Sequence, residues 1–342
     1  VGGAFGGKTV CTVELEAAVL AQTVQRPIKV QWTRTQELRH GFHRPASTHR
    51  VRATVKDGKL DQWWHAFASN HVLFTNAVLN PGLQQVTDWI GDDGVARGAA
   101  LVYDAHSRRT CFDLARSPAF TGPWRGLGAA PNGVAIEVAI DACARKAGVD
   151  PLTFRLQHLS REPRLQACLK QVALLSRWNP ATQRSVTPSH LLARGIACGI
   201  YKKSSYGAVV AEVEIARATG SVRVTKLWCT HDCGLVINPD QVKAQCEGNL
   251  VWSIGMVLTD KLRLEQGVIE AESFSQAPIP RYFQVPSMEV GLIASDEAPS
   301  GAGETLMACA AAAILNAIHH GLGRPLSRLP VQADEVLEHL LS

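Results

Sequence analysis

Two ionisable residues stand beside glycines in a way that suits chemistry. Glu304 closes Ser300-Gly-Ala-Gly-Glu304, and Arg125 lies inside Thr121-Gly-Pro-Trp-Arg-Gly-Leu-Gly128. The acid precedes a long apolar stretch that reads as a buried helix, where unpaired N–H groups and the helix dipole favour the charged form while burial opposes it. A carboxylate balanced in this way can act as a general base toward a metal-bound hydroxyl or water. It can equally be an ordinary first-turn glutamate. The Arg125 guanidinium offers a planar donor fork to an anionic or developing negative oxygen, or it bonds neighbouring carbonyls and holds the loop. A third glycine-marked point is Val1-Gly-Gly-Ala-Phe-Gly-Gly-Lys8. Such a run makes neither a good helix nor a packed strand. Its amides could form a nest for anionic or oxo-rich groups, with the Phe5 ring as a platform and Lys8 as a nearby charge; a flexible terminus is the other reading. Three loops meeting around one ligand is the arrangement these residues suggest.

The rest of the sequence narrows the class. At 342 residues, 46% apolar, with 28 glycines and 17 prolines, the chain has room for a sizeable core and one large or two smaller domains. The net charge of +5 is modest. The dense basic stretch, Arg34 to Arg52, lacks the interleaved aromatics expected of a nucleic-acid surface. Nine cysteines follow no disulfide framework, and Cys229-x-x-x-Cys233 with His231 fits zinc spacing poorly. Phosphate-loop, His-Glu-x-x-His and Gly-x-Ser-x-Gly motifs are missing from the sequence. The longest apolar run, Met307 to Ile318, is too short to span a bilayer. Without an initiator methionine, the chain is expected to begin inside a larger gene product. An export signal would then lie upstream of Val1, leaving cytoplasm and periplasm both open.

The elements that must position these loops follow from periodicity and punctuation. The pattern predicts helices over Thr9–Val24 (with one buried face), Leu83–Ile90, Gly133–Lys146 (capped by Asn132), Leu152–Leu159, Asp240–Leu258 and Thr305–His320. Strands are expected over Ile28–Thr33, a hairpin about Asp57-Gly58, Tyr103–Ala115, the pair Gly207–Ile215 and Ser221–Thr230, and Ser287–Ile293. The basic stretch after Thr33 reads as a loop, and the polar run Asn179–His190 as a boundary. A layered α+β fold follows.

Taken together, Gly2-Gly-Ala-Phe-Gly-Gly-Lys8, Gly122-Pro-Trp-Arg-Gly-Leu-Gly128, Asp150-Pro-Leu-Thr-Phe-Arg155, Asp232-Cys-Gly, Asn238-Pro239, Gln245-Cys-Glu-Gly248 and Gly301-Ala-Gly-Glu304 resemble one family. It is the molybdenum-cofactor subunit of the xanthine dehydrogenase and aldehyde oxidase family, most similar to its isoquinoline 1-oxidoreductase branch (the β-subunit) or a related N-heterocycle dehydrogenase. The resemblance covers essentially the whole chain and implies the α+β molybdopterin-binding architecture, in two regions, 1–185 and 186–342. It implies molybdenum held by the dithiolene of a pterin, the cytosine dinucleotide form among those open, and by no protein side chain. Gly3, Phe5, Gly6, Gly7, Arg125, Gln245 and Gly303 would line the cofactor. Glu304 would be the base and Arg125 its catalytic companion. The implied reaction hydroxylates an electron-poor carbon of an aromatic N-heterocycle or an aldehyde with oxygen from water, and passes electrons to [2Fe-2S] clusters on a small partner subunit. The final acceptor would be a cytochrome or flavin. An upstream molybdopterin-binding region or subunit would carry the Met-Gly-Gln-Gly-type segment that this chain lacks. Thr9 stands where purine-oxidising members have a substrate-binding glutamate, and Leu127 where they have a stacking aromatic. Both changes point away from xanthine. An inactive structural or assembly homologue is the alternative reading.

Overall fold

The computed structural model describes residues 4–9, 12–73, 82, 83, 86, 87, 91–117 and 119–341. Asp57 and Gly58, with φ of 51° and 73°, turn β1 (Ser47–Lys56) back onto β2 (Lys59–Ser69). This is the hairpin that the Asp-Gly pair predicts, since both central residues of such a turn need positive φ. β3 (Ser107–Leu114) joins β2 in parallel and completes a three-stranded sheet. The second sheet contains β4 (Arg184–Val186), β5 (His190–Tyr201), β6 (Ser205–Ala216) and β7 (Val222–Asp232). A short hairpin, β8 (Leu264–Glu265) and β9 (Val268–Ile269), intervenes before β10 (Ser287–Leu292). Their order is β10-β7-β6-β5-β4, with only the β10–β7 pair parallel.

The described helices are α1 (Thr12–Val24), α2 (Arg34–His40), α3 (Asp93–Ala96), α4 (Ala129–Ala147), α5 (Pro151–Gln157), α6 (Pro163–Leu175), α7 (Pro239–Leu258), α8 (Ala310–Leu322) and α9 (Ala333–Leu341). They cover the larger sheet on both faces. Along β6, Val209, Val213 and Ile215 join a core with Ile254 of α7 and Ile314 and Ile318 of α8. Ala208 and Val210 join another with Ile136 and Ile140 of α4 and Leu165, Leu169 and Val172 of α6. Successive side chains of a strand point to opposite faces. A strand covered twice therefore reads as one continuous apolar run, as 207–211 does before Glu212 and Glu214 interrupt it.

The structure corrects several expectations. Residues 28–33 form no strand; Thr33 instead caps α2, its hydroxyl taking the Gln36 N–H while the Gln36 side chain takes the Thr33 N–H. The basic stretch is thus partly helical, because a reciprocal cap satisfies two amides that a loop would leave to water. Thr9 lies in a turn, not in α1, whose described residues Thr12–Val24 include no buried one. The strand expected from Tyr103 begins at Ser107, and Tyr103 is wholly buried in the preceding segment. Asn132 is not a cap: α4 starts at Ala129, and the Asn132 amide donates to the carbonyls of Val95 and Arg97. Of the helix expected over 83–90, residues 84, 85 and 88–90 lie outside the described residues. α6, α9 and β5 occupy stretches for which the periodicity made no assignment.

The stretch Thr305–Leu322 is long and apolar enough, at mean hydropathy 1.4, to cross a membrane by composition, yet 89% of it is buried within the fold. It serves as the central core helix. It is also broken: Thr305–Ala308 form a 3-10 turn, Cys309 departs from helical geometry, and α8 starts only at Ala310. The tight turn is gripped by backbone. A Cβ on Gly133 of α4 would lie 1.9 Å from the Ala308 carbonyl oxygen, and one on Gly199 of β5 would lie 2.9 Å from the Ala308 Cβ. Only glycine permits such approaches.

The Asp150–Arg155 motif turns out to be architectural. Asp150 caps α5 through the Thr153 N–H. Arg155, fully buried, donates to Glu137 Oε2 at 3.0 Å, Asp141 Oδ1 at 3.1 Å and the Pro151 and Glu137 carbonyls. Glu137 also accepts the Cys198 N–H of β5 at 2.9 Å and the Tyr103 hydroxyl.

Candidate active site

Glu304 sits just before the gripped 3-10 turn, half-buried. Its Oε1 accepts the Gly126 N–H at 3.0 Å, and its Oε2 accepts the Tyr201 hydroxyl at 2.7 Å. The carboxylate makes no side-chain cap to the helix that follows. The groups that meet its charge are therefore a loop amide and a phenol, not the first amides of a helix. Gly126 can present its amide because it holds φ at 85° and packs against Met307, where a Cβ would lie 2.7 Å from the Met307 Cβ. The following Leu127 also has positive φ, 45°, a conformation uncommon outside glycine. This tight turn is braced from behind by Arg44, whose two terminal nitrogens donate to the Arg125 carbonyl at 2.6 Å and the Leu127 carbonyl at 2.9 Å.

Arg125, only 2% exposed, ties the loops together. Its Nε donates to the Gly303 carbonyl at 2.7 Å, and Nη2 donates to the Gln245 side-chain oxygen at 2.9 Å and the Gln245 carbonyl at 3.2 Å. Its guanidinium carbon lies 4.1 Å from the centre of the Phe5 ring and 5.1 Å from that of Trp252, a cation–π arrangement. Burial pulls the guanidinium down to about 10, opposed by the Glu304 charge, so Arg125 is a cation at neutral pH. Arg44 is pulled down to about 10 by the same desolvation and is likewise opposed by Glu304. Two of Arg125's nitrogens thus bond protein oxygens, as the loop-holding reading has it. Nη1 takes part in none of these bonds.

Phe5 and Gly6 belong to a turn closed by Gly7 N–H to the Ala4 carbonyl at 2.9 Å. Gly6 has φ 110°, and a Cβ there would overlap the Pro123 carbonyl oxygen at 1.4 Å. The first and second glycine loops are therefore packed backbone to backbone. Gly7 is in the same turn, and Gly3 lies outside the described residues. The structure brings Phe5, Gly6, Arg125, Gln245, Gly303 and Glu304 into one cluster.

Several members of this cluster were not expected from sequence. Asn249 donates to the Gln245 carbonyl at 2.6 Å and to the Gly303 carbonyl at 3.2 Å. Trp252 lies 5.4 Å from Phe5 and 5.5 Å from Trp124, ring centre to ring centre. The positions 245, 249 and 252 are spaced by four and three, one face of α7, and that spacing could have flagged them. Nothing local flags Tyr201, at the end of β5, or Arg97, whose Nη1 donates to the Tyr201 oxygen at 3.1 Å.

Sequence signatures of the molybdopterin cofactor-binding domain match residues 1–159 and 177–286. The chain belongs to the molybdopterin cofactor-binding family. This is the family of the molybdenum hydroxylases, and the beta subunit of isoquinoline 1-oxidoreductase from Brevundimonas diminuta is 31% identical over 97% of this chain. A nicotinate dehydrogenase subunit of Pseudomonas putida is 32% identical over 98% of it. The molybdopterin-binding chain spans 42% and 29% of the length of those two relatives, less than half of either. Aldehyde oxidoreductase from Desulfovibrio gigas has the same fold: TM-score 0.85 at 18% identity, over all of this chain and 54% of that one.

The cluster has donors to offer such a group. Gln245 Nε2 has no partner among the described residues and Arg125 Nη1 is unused by the bonds above, while Asn249 Oδ1 is a buried acceptor without a hydrogen bond. Amide and guanidinium donors next to the Phe5, Trp124 and Trp252 rings suit a planar, anionic, oxygen-rich cofactor. Among the described residues no cluster of three or more His, Cys, Asp or Glu is placed to hold a metal ion. His231 is instead bonded to the Tyr206 carbonyl, and burial pulls it down to about 4. The Cys229 thiol is pushed well above its usual range by its hydrogen bond with Cys246 and by burial.

Proposed function

We propose that this chain supplies the proton acceptor and part of the cofactor cradle of a molybdenum hydroxylase. The reaction is hydroxylation of an electron-poor ring carbon in an aromatic N-heterocycle, with an aldehyde carbon as the second substrate class. Arg125 Nη1 and Gln245 Nε2 would hold the molybdenum–pterin group, with Phe5 and Gly6 against it. When bound, that group supplies two-electron redox chemistry and activates the oxygen that water provides. Glu304 takes the proton of the attacking oxygen on its carboxylate. Arg125 and Arg44 lend positive charge to the surrounding field, and the aromatic rings of Phe5, Trp124 and Trp252 offer flat surfaces to a flat substrate. Electrons would leave to [2Fe-2S] clusters on a partner chain, then to a cytochrome or flavin.

The observation that carries this reading is the Glu304 carboxylate, held between Gly126 and Tyr201 one residue from the carbonyl that anchors Arg125. Leu127 and the exposed Thr9 offer neither a stacking ring nor an acid for a purine. The names of the two relatives, isoquinoline and nicotinate enzymes, favour N-heterocycles. The test is Glu304→Gln in the assembled enzyme. Turnover should fall at least ~10²-fold with molybdenum and pterin content nearly unchanged; normal turnover would remove the proton-acceptor role.

A further inference from the structure

Tyr201 and Arg97 form a chain of hydrogen bonds that ends on the proposed proton acceptor. Arginine can only donate. The Tyr201 oxygen therefore accepts from Arg97 Nη1 at 3.1 Å, and the single phenolic proton is left to point at Glu304 Oε2, 2.7 Å away. The polarity of the chain is thus fixed. The Gly126 N–H reaches the other oxygen from the opposite loop, so both oxygens of Glu304 accept from the protein.

Each link of this chain is itself held. Tyr201 is 5% exposed and packs with Ala129 and Ala308, and the Arg97 guanidinium carbon lies 5.5 Å from its ring centre. The backbone at Arg97 is fixed by Asn132, which takes the carbonyls of Val95 and Arg97. The preceding α3 is capped by the buried Asp92. The turn after Tyr201 is stitched to the Glu304 loop at two further points, Ser205 to Thr305 between hydroxyls at 2.8 Å and Ser300 to the Ser204 carbonyl at 3.0 Å. A phenol used in this way must keep its proton. Burial and its hydrogen bond to Glu304 both push Tyr201 well above the usual phenol range.

We infer that Tyr201, oriented by Arg97, is a positioning residue that fixes the rotamer of Glu304 and the side from which its carboxylate can take a proton. This rests on the reading of Glu304 as proton acceptor. The charged and titratable groups around the carboxylate are Tyr201, Arg97, Arg125 and Arg44, with the Lys202 ammonium 5.9 Å from the Tyr201 ring. All but the phenol are cations, and Asp260, raised to about 6 by burial, is the acid that also meets Arg44. Removing the phenol takes away a neutral donor and leaves that field in place.

The test is Tyr201→Phe in the full-length, assembled enzyme. kcat/KM at neutral pH should fall about tenfold, and the acidic limb of its pH profile should move up by about one unit, the size of one hydrogen bond to a charged group. Cofactor content should not change. Arg97→Lys should move the limb in the same direction by less, and it carries the test should Tyr201→Phe fail to assemble. Independently of turnover, the thermal-stability losses of Tyr201→Phe and Glu304→Ala should be non-additive in the double variant, as for any two groups that share a bond. Additive losses, or an unmoved acidic limb in fully loaded Tyr201→Phe enzyme, would overturn the positioning role. If Glu304→Gln turns over normally, the proton-acceptor reading fails by itself, while the stability cycle still decides whether Tyr201 holds that carboxylate.

Discussion

At the scale of single residues, the cluster is held by a few polar side chains that each do two things. Arg125 is a positive charge near the proposed chemistry and also a tie between Gly303, Gln245 and the Phe5 ring. Arg125→Ala strips the donors from three oxygens, the Gly303 and Gln245 carbonyls and the Gln245 side chain, and should lower stability by about 1–3 kcal/mol, read as a shift in thermal midpoint, along with reduced molybdenum occupancy by metal analysis. Arg125→Lys should restore the charge without the occupancy, because an ammonium cannot reproduce the planar fork. Arg125 and Glu304 were both legible in the sequence as ionisable residues beside glycines. Their partners were not. Tyr201 reaches Glu304 across 103 positions of sequence through a strand end that looks like any other. Pairing at that distance comes from packing of the 3-10 turn after Glu304 against the end of β5, which periodicity does not encode.

Among elements, strands and helices whose pattern has one clear period were legible. The Asp57-Gly58 hairpin, the β6–β7 pair, α7 and β10 stand close to where the pattern predicts them. Misreadings fell where a local hydrogen bond overrode propensity, as at Thr33, or where packing broke a helix that composition would continue, as at Cys309. The far end of that helix makes a pH-dependent contact. His319 Nε2 accepts the Leu326 N–H at 2.9 Å, and burial, with a smaller contribution from the Arg145 charge, pulls the imidazole from 6.5 down to about 4. Between those values the folded state binds fewer protons than the unfolded one. The contribution of His319 is therefore full above pH 6.5 and is lost as pH falls toward 4. Urea midpoints should decline over that window, and His319→Gln should flatten part of the decline. An unchanged slope would show that His319 is not the titrating group.

At the scale of the whole molecule, the described helices and the five-stranded sheet are held together by buried polar contacts as well as apolar cores. Glu137, Asp141 and Arg155 link α4 to α5, and the bond from the Cys198 amide extends the link to β5. Breaking a buried pair costs more than the pair contributes, because the remaining charge has no water. Arg155→Leu should therefore destabilise by about 3–5 kcal/mol, visible as a lower thermal midpoint. Replacing Arg155 and Glu137 together by apolar residues should recover part of it. The grip of Gly133 and Gly199 on the turn that follows Glu304 has a different consequence. Gly133 meets the Ala308 carbonyl and Gly199 the Ala308 methyl group, so the main chain at the foot of the acid has no room to shift, and what stays adjustable there is the side-chain rotamer that Tyr201 holds. On the proposed reading, a change of substrate would fall to the side chains of the cluster, Trp124, Leu127 and Trp252, while the backbone that carries the acid stays where the glycines put it.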